Sequence, residues 1–255
     1  MRTIKLIIQY DGTNYCGWQE QANGSSIQET VELALAKILG KRIRVQSSGR
    51  TDAGVHAVAM PAVFKTDSTV PLKAFVDGVN SHLPQDIAVQ SAEEVPADFR
   101  VIGGARAKTY RYTIYNYPIR SPLNHRTSWH VRDELDLEAM KLAAGYFPGE
   151  HDFAAFRGSN CSAVTSCRRI DAVVISKHGA FVTIDVTGGG FLKYMVRIMT
   201  GTLVDVGRGR FSPEHVAALL AEPDRQKGGV TAPPQGLTLL QVVYPNSDNI
   251  MQKTE

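Results

Sequence analysis

Ser47-Ser48-Gly49-Arg50-Thr51-Asp52-Ala53-Gly54-Val55-His56-Ala57 is the stretch on which the reading of this chain turns. It is polar and punctuated by glycine, and it lies between two apolar runs, 43–46 and 57–64, that read as strands. Gly49 and Gly54 bracket it, and glycine lets a backbone take positive φ or come close to a ligand. Asp52 stands at its centre, with Arg50 two residues before it and His56 four after. An acid, a guanidinium and an imidazole on so short a tether can carry chemistry. The competing reading is structural, since Asp and Thr commonly satisfy backbone groups in a turn.

Working outward, residues 3–10 alternate as a strand, with Ile4, Leu6 and Ile8 on one face. Asp11-Gly12-Thr13-Asn14 ends it with turn chemistry, and Tyr15-Cys16-Gly17-Trp18-Gln19 reads as an aromatic plug beneath a loop. Ser25 or Ser26 can cap a helix over 27–39, with Glu29 placed as in a capping box and Gly40 as the stop. Residues 71–80 predict a second helix and 87–91 a short strand. The order β, α, β, β, α, β is that of ferredoxin-like and RNA-recognition folds.

The second half repeats this scale. Strands are expected at 106–116 and 128–131, an amphipathic helix at 137–147 opened by Asp136, and loops over 151–165. A hairpin spans 169–187 around His178-Gly179, and Gly188-Gly189-Gly190 feeds a helix over 191–206. Three glycines before a helix can admit a phosphate or ribose, or serve simply as a flexible turn. Ser212 and Pro213 start another helix, and 237–243 closes the chain as a strand. The expected fold class is α+β, two ferredoxin-like halves with mainly antiparallel sheets around a basic cleft. The halves are 1–98 and 105–245, with a polar, lightly ordered tail at 246–255.

The chain has 255 residues, 43% apolar and 21% charged, with a net charge of +3, ordinary values for a globular protein. The distribution of charge says more than its sum. From Arg100 to Arg132 there are seven Lys or Arg and no carboxylate, interleaved with Tyr110, Tyr112, Tyr115, Tyr117 and Trp129. Cations offset phosphate charge and aromatics stack on unpaired bases, so the composition suits RNA as well as it suits a solvated sheet face. Smaller clusters are Arg157, Arg168 and Arg169, and Arg208 with Arg210. Cys16, Cys161 and Cys167 form no C-x-x-C pair, which argues against a disulfide framework or zinc site. Cysteines so few and unpaired are expected as reduced thiols in a cytoplasm; the N-terminus lacks a signal-peptide core and no run approaches membrane-spanning length.

Gly49-Arg50-Thr51-Asp52-Ala53-Gly54-Val55-His56 resembles the catalytic loop of the tRNA pseudouridine synthase A family, the tRNA pseudouridine(38-40) synthases. Four other places agree, in the family's order. Tyr15, Gly17, Trp18 and Gln19 resemble its N-terminal signature, and Lys108-Thr109-Tyr110-Arg111-Tyr112 its basic–aromatic strand. Gly190-Phe191-Leu192-Lys193-Tyr194-Met195-Val196-Arg197 with Gly201 resembles its helix motif, and Ala232-Pro233-Pro234-Gln235-Gly236-Leu237 its C-terminal motif. His151-Asp152-Phe153 with Phe156 also fits. Lys193 and Tyr194 stand where the family varies, and the loop 118–126 does not align residue by residue.

The resemblance implies Asp52 as nucleophile, Arg197 as the arginine paired with it, and Tyr110 as the tyrosine that stacks on the base. Leu237 lines the uridine pocket in this reading, and Arg50 is a phosphate clamp or a plug for the space left by a flipped base. It implies isomerisation of uridines 38, 39 and 40 in the anticodon arm of tRNA by a homodimer. The reaction changes neither redox state nor composition, so no cofactor or metal is expected. Attack at C1′, attack at C6 and a glycal route all remain open to the carboxylate. A non-catalytic RNA-binding or RNA-folding protein is the second reading. A hydrolase, which would normally need a second carboxylate, is the third.

Overall fold

The computed structural model describes residues 1–22 and 24–245, and the tail expected at 246–255 lies outside the described residues. Two compact units form, Met1–Ala107 with Leu239–Glu255, and Lys108–Thr238. The α+β class with mainly antiparallel sheets is what the sequence builds.

In the first unit the elements are β1 (Arg2–Tyr10), α1 (Ile27–Leu39), β2 (Gln46–Ser47), β3 (His56–Thr66) and β4 (Ile87–Val95). Their order is β4-β1-β3, with β2 on β3 and every ladder antiparallel, as the split β-α-β pattern requires. The pairs Ile4↔Phe64, Leu6↔Ala62 and Ile8↔Met60 set the register. Period-two alternation places all six in the core with Ile27, Val31 and Leu35 of α1. Ser26 caps α1 by accepting from the Glu29 N–H (3.2 Å), and Gly40 ends it at φ 70°. On other positions of the sheet Val63, Val101 and Tyr244 form a smaller cluster. The Tyr244 hydroxyl donates to the Val101 carbonyl (2.9 Å), which ties the returning end of the chain into this unit.

Two expectations shift here. The strand expected at 43–46 shrinks to Gln46–Ser47 because α1 takes the backbone of Val45 for itself. The Glu32 carboxylate, only 1% exposed, accepts from the Val45 N–H (3.0 Å), the Gln28 amide (3.0 Å) and Arg42 Nε (3.1 Å). Gln28 Nε2 also donates to the Val45 carbonyl (2.9 Å), so no group of that residue is left for a ladder. The helix expected at 71–80 is wound as a π-helix over Ala74–Gly78. The wider turn sets Gly78 against Ile38 of α1, where a Cβ would stand 3.0 Å from the side chain.

The second unit holds β5 (Ala107–Asn116), β6 (Trp129–Val131), α2 (Leu137–Ala144), β7 (Gly149–Asp152), β8 (Cys167–His178), β9 (Phe181–Gly188), α3 (Met195–Gly207) and α4 (Glu214–Ala221). The strands run β5-β9-β8-β7, antiparallel, with β6 parallel to β5. Phe147, Phe153 and Phe156, all fully buried, pack on one another in the core, Phe147 stacked on Phe153 and Phe156 edge-on to both. The last strand, β10 (Leu237–Val243), borders β3.

Here too the outcome refines the expectation. The start of the stretch expected as loop, His151 and Asp152, belongs to β7, an edge strand whose Glu150, His151 and Asp152 carry no apolar alternation. The hairpin turn falls on Gly179-Ala180, one residue on, with Gly179 at φ 58°. Helix α3 begins at Met195 rather than at residue 191, because Tyr194 sits in the left-handed region at φ 63° and interrupts the helical path. The glycine run 188–190 is therefore not a helix N-terminus, and its reading as a phosphate cradle loses its physical basis. At the other end Pro213, not Ser212, is the cap residue of α4. No described helix is long and apolar enough to cross a membrane.

Replacing Glu32 with Ala removes the acceptor of the buried Val45 N–H and of Arg42. We expect a loss of about 2 kcal/mol in urea unfolding with an unchanged m-value.

Candidate active site

The Asp52 loop is fastened at the residue before its carboxylate. Thr51 is buried; its hydroxyl meets the Tyr10 hydroxyl at 2.8 Å, and its carbonyl accepts from the Trp18 N–H at 3.1 Å. Trp18 is itself 2% exposed and lies 6.1 Å from the Tyr10 ring, so the aromatic plug expected under the loop is present. Gly17 makes the approach possible. It sits at φ +105°, and a Cβ there would stand 2.6 Å from the Thr51 carbonyl oxygen.

Beyond the carboxylate the loop closes in a β-turn. The Val55 N–H donates to the Asp52 carbonyl (3.1 Å), and Gly54 supplies the positive φ, 76°, that such a turn wants at its third position. Gly49, the other bracket, stays outside the positive-φ region. Val55 is buried, and its carbonyl oxygen occupies the space a Cβ on Gly12 would need. His56 is buried as well, and its Nδ1 faces the Gly12 N–H (3.0 Å) and the Asp11 carboxylate (3.1 Å). This ring anchors the loop to the turn after β1. Tyr15 completes the frame, donating to Asp86 Oδ1 (2.6 Å); burial and that carboxylate push its hydroxyl pKa well above the usual phenol range. Asp52 is left half-buried at the start of the turn and Arg50 exposed.

Tyr110, Arg197 and Leu237 belong to the second unit. Tyr110, Tyr112 and Ile114 are buried on one face of β5, as alternation predicts. The Tyr110 ring meets Phe191 edge-on, 5.2 Å between centroids at 84°, which fixes its plane. Tyr112 donates to the Pro233 carbonyl (2.7 Å); burial drives its pKa upward, and the charge of Arg197 opposes the rise. Arg197 and Ala232 are bonded reciprocally. Nε of the arginine donates to the Ala232 carbonyl (2.7 Å), and the Ala232 N–H donates back to the Arg197 carbonyl (3.1 Å). The guanidinium also lies 4.7 Å from the centroid of Tyr194.

The segment that receives Arg197 touches α3 and β5 through glycine. A Cβ on Gly201 would overlap the Val230 carbonyl, one on Gly229 would stand 2.5 Å from the Thr202 nitrogen, and one on Gly236 would stand 2.6 Å from the Tyr112 ring. Leu237 follows directly and is 5% exposed. Burial lowers the pKa of Lys108, which opens the basic–aromatic strand.

Much of the remaining basic clustering is structural. Arg111 forms a two-pronged pair with Asp185 at 2.7 Å across β5 and β9. Arg208 pairs with Asp133 (2.9 Å) and Arg210 with Asp205 (3.1 Å). Arg157 donates to the carbonyls of Cys161 (2.6 Å) and Ala163 (2.9 Å). Among the described residues no group of three or more His, Cys, Asp or Glu could hold a metal ion.

Sequence reasoning missed the fastening residues themselves. Nothing in the sequence marks Tyr10 as Thr51's partner or Tyr194 as left-handed. The signal for Gln28 and Glu32 was available, since both fall on the apolar side of α1 and a polar residue there needs a partner.

The model of the tRNA pseudouridine synthase family matches residues 6–102 and 143–245. A tRNA pseudouridine synthase A of Pelobacter propionicus is 63% identical over 96% of this chain and all of its own length. Those of Geotalea uraniireducens, 56% identical over 96% of the chain and all of its own length, and Myxococcus xanthus, 47% over 96% and 92%, are also similar. The matches run through both units and define a tRNA-modifying isomerase. The chain belongs to the tRNA pseudouridine synthase family.

Two substitutions probe the fastening of the loop. Tyr10→Phe deletes one hydrogen bond and should lower stability by about 1 kcal/mol, a few degrees in Tm. Gly17→Ala adds a Cβ against the Thr51 carbonyl in a strained backbone region and should cost more than Tyr10→Phe in the same melt, with a larger loss of turnover.

Proposed function

We propose that this enzyme converts uridine to pseudouridine at positions 38, 39 and 40 of the tRNA anticodon arm, with Asp52 as nucleophile. The observation that carries the reading is a half-buried aspartate at the first position of a closed turn, with Thr51 before it and Val55 at the turn's end both held by hydrogen bonds. A backbone fixed on both sides of Asp52 limits where its carboxylate can reach, which favours a pre-positioned nucleophile.

The net reaction breaks the N1–C1′ bond, turns the uracil and joins C5 to C1′. One proton leaves C5 and N1 ends protonated, so atoms and electrons balance without a co-reactant. Asp52 must be ionised, and Arg197 supplies the charge that favours the ionised form. Tyr110 stacks on the uracil and holds it while it turns, and its edge-on contact with Phe191 keeps the ring plane ready. Leu237 forms part of the apolar lining. A stacked uridine cannot reach Asp52, so the base is flipped at a cost of a few kcal/mol. Arg50, exposed beside the nucleophile, contacts a phosphate of the flipped nucleotide. The sequence resemblance further supports a homodimer, and the three unpaired cysteines suit a cytoplasmic setting.

Pseudouridine mapping by carbodiimide-blocked primer extension on an unmodified tRNA transcript tests this. Wild type should give new stops at anticodon-arm uridines, and Asp52→Ala none. Tyr110→Phe should retain much of the conversion and Tyr110→Ala little, since only the latter removes the ring. Conversion by Asp52→Ala would reassign the nucleophile, and binding by wild type without conversion would favour the RNA-binding reading. Arg50→Ala should lower the slope of log affinity against log salt by about one.

A further inference from the structure

The loop between β5 and β6 lies in the basic region outside the family motifs and outside the residues the family model matches, and it is ordered by its own bonds. Asn124 donates to the Ser121 carbonyl (3.3 Å) and hydroxyl (2.8 Å), while Ser128 donates to the Asn124 carbonyl (2.7 Å). His125 Nδ1 bonds to the Pro122 carbonyl (2.6 Å) and His130 Nε2 to the Tyr117 carbonyl (2.8 Å). A carbonyl only accepts, so each imidazole donates there and keeps its other ring nitrogen for something else. Connections of this length in compact proteins are usually functional when they are ordered.

This loop borders a cavity of about 370 Å³, lined by Tyr115, Arg120, His125, Ser128, His130 and Gln235 among others. The volume falls in the range of small-ligand sites, roughly 300–1,000 Å³. No carboxylate lines it. Arg120 is exposed and makes no ion pair among the described residues, in contrast to Arg111, Arg208 and Arg210. One wall is aromatic, with Tyr115 within 6.0 Å of His130, 5.9 Å of Tyr117 and 5.3 Å of Phe181 between ring centroids. An unpaired guanidinium, two imidazoles with a ring nitrogen to spare and an aromatic wall match the phosphate, ribose hydroxyl and base of one nucleotide.

We infer that this cavity holds a nucleotide of the substrate tRNA other than the uridine that reacts, with Arg120 on its phosphate. It is a different nucleotide because Tyr115 points to the face of β5 opposite Tyr110, five residues or roughly 16 Å further along the strand. The inference rests on tRNA being the substrate. Arg120 acts here in binding and register, away from the reacting atoms.

The test is a titration of fluorescently labelled, unmodified tRNA transcript with wild type, Arg120→Ala and Arg120→Lys at several salt concentrations. Turnover on the same transcript and sedimentation velocity accompany it. The inference expects Arg120→Ala to raise Kd and KM about fivefold, to leave kcat within twofold, and to lower the salt slope by about one. Arg120→Lys should recover the slope but only part of the affinity, because the charge returns without the two-pronged fork. Unchanged Kd and slope in Arg120→Ala would overturn the inference. A loss of affinity explained by a changed sedimentation coefficient would also overturn it, assigning the cavity to a contact between copies of the chain. Wild type that binds tRNA without converting uridine would sink the catalytic reading of the preceding section and leave this measurement intact.

Discussion

Thr51 is the fixed point of the first unit. Its two polar groups are used in opposite directions, the hydroxyl toward Tyr10 in β1 and the carbonyl toward Trp18 after it. A peptide unit is planar, so fixing the carbonyl of residue 51 leaves the Cα of Asp52, which lies in the same plane, almost no freedom. The other fastenings make sense once this one is in place. Gly17 and Gly12 are small because backbone must pass there, and His56 and Gly54 hold the far side of the turn. The buried Glu32 network stiffens the segment that feeds β2 and so the approach to the loop. A site that must place an atom to a fraction of an ångström is built on strands and locked turns, and this chain follows that rule.

The second unit reaches the same end by another route. Arg197 carries a permanent charge on a long, flexible stem, and such a side chain loses much of its freedom when it is put to work. Here the loss is met before any substrate arrives. The guanidinium is bonded to Ala232 and lies over the ring of Tyr194, and the helix beneath it is clamped by glycine contacts at positions 201 and 229. Both units thus spend small residues and buried hydrogen bonds on immobility rather than on extra contacts.

How much of this could be read from residues alone differs by type of feature. The β-α-β-β-α-β order, the Ser26 cap, the Gly40 stop and the buried face of β5 were all legible, because periodicity and capping are local properties of sequence. The short β2 and the polar edge strand β7 were not. In the first, side chains of α1 take a backbone that a ladder would otherwise have used, and in the second there is no apolar rhythm to detect. The late start of α3 escaped for a related reason, since apolar residues at 191 and 192 continue the helical rhythm while the backbone at Tyr194 breaks it. In the site, the residue types and order of the Asp52 loop were visible. Their buttresses were not, because Tyr10 and Thr51 are partners only after the strands pair.

The strained backbone at Tyr194 has a bearing on how this sequence can drift. Its ring lies so close to Gly158 that a Cβ there would stand 2.5 Å from Tyr194 Cδ2, and the Gly158 N–H donates to the Lys193 carbonyl (2.9 Å). The two positions are 36 residues apart in the chain, yet neither can be enlarged while the other stays as it is. A lineage that replaces Gly158 must first pass through a smaller residue at 194, and that step removes the ring lying over Arg197. Position 194 is therefore tolerant in one order of events and closed in the other. Variation seen there across relatives is to be read jointly with the residue at 158, as a record of the order in which the two changed.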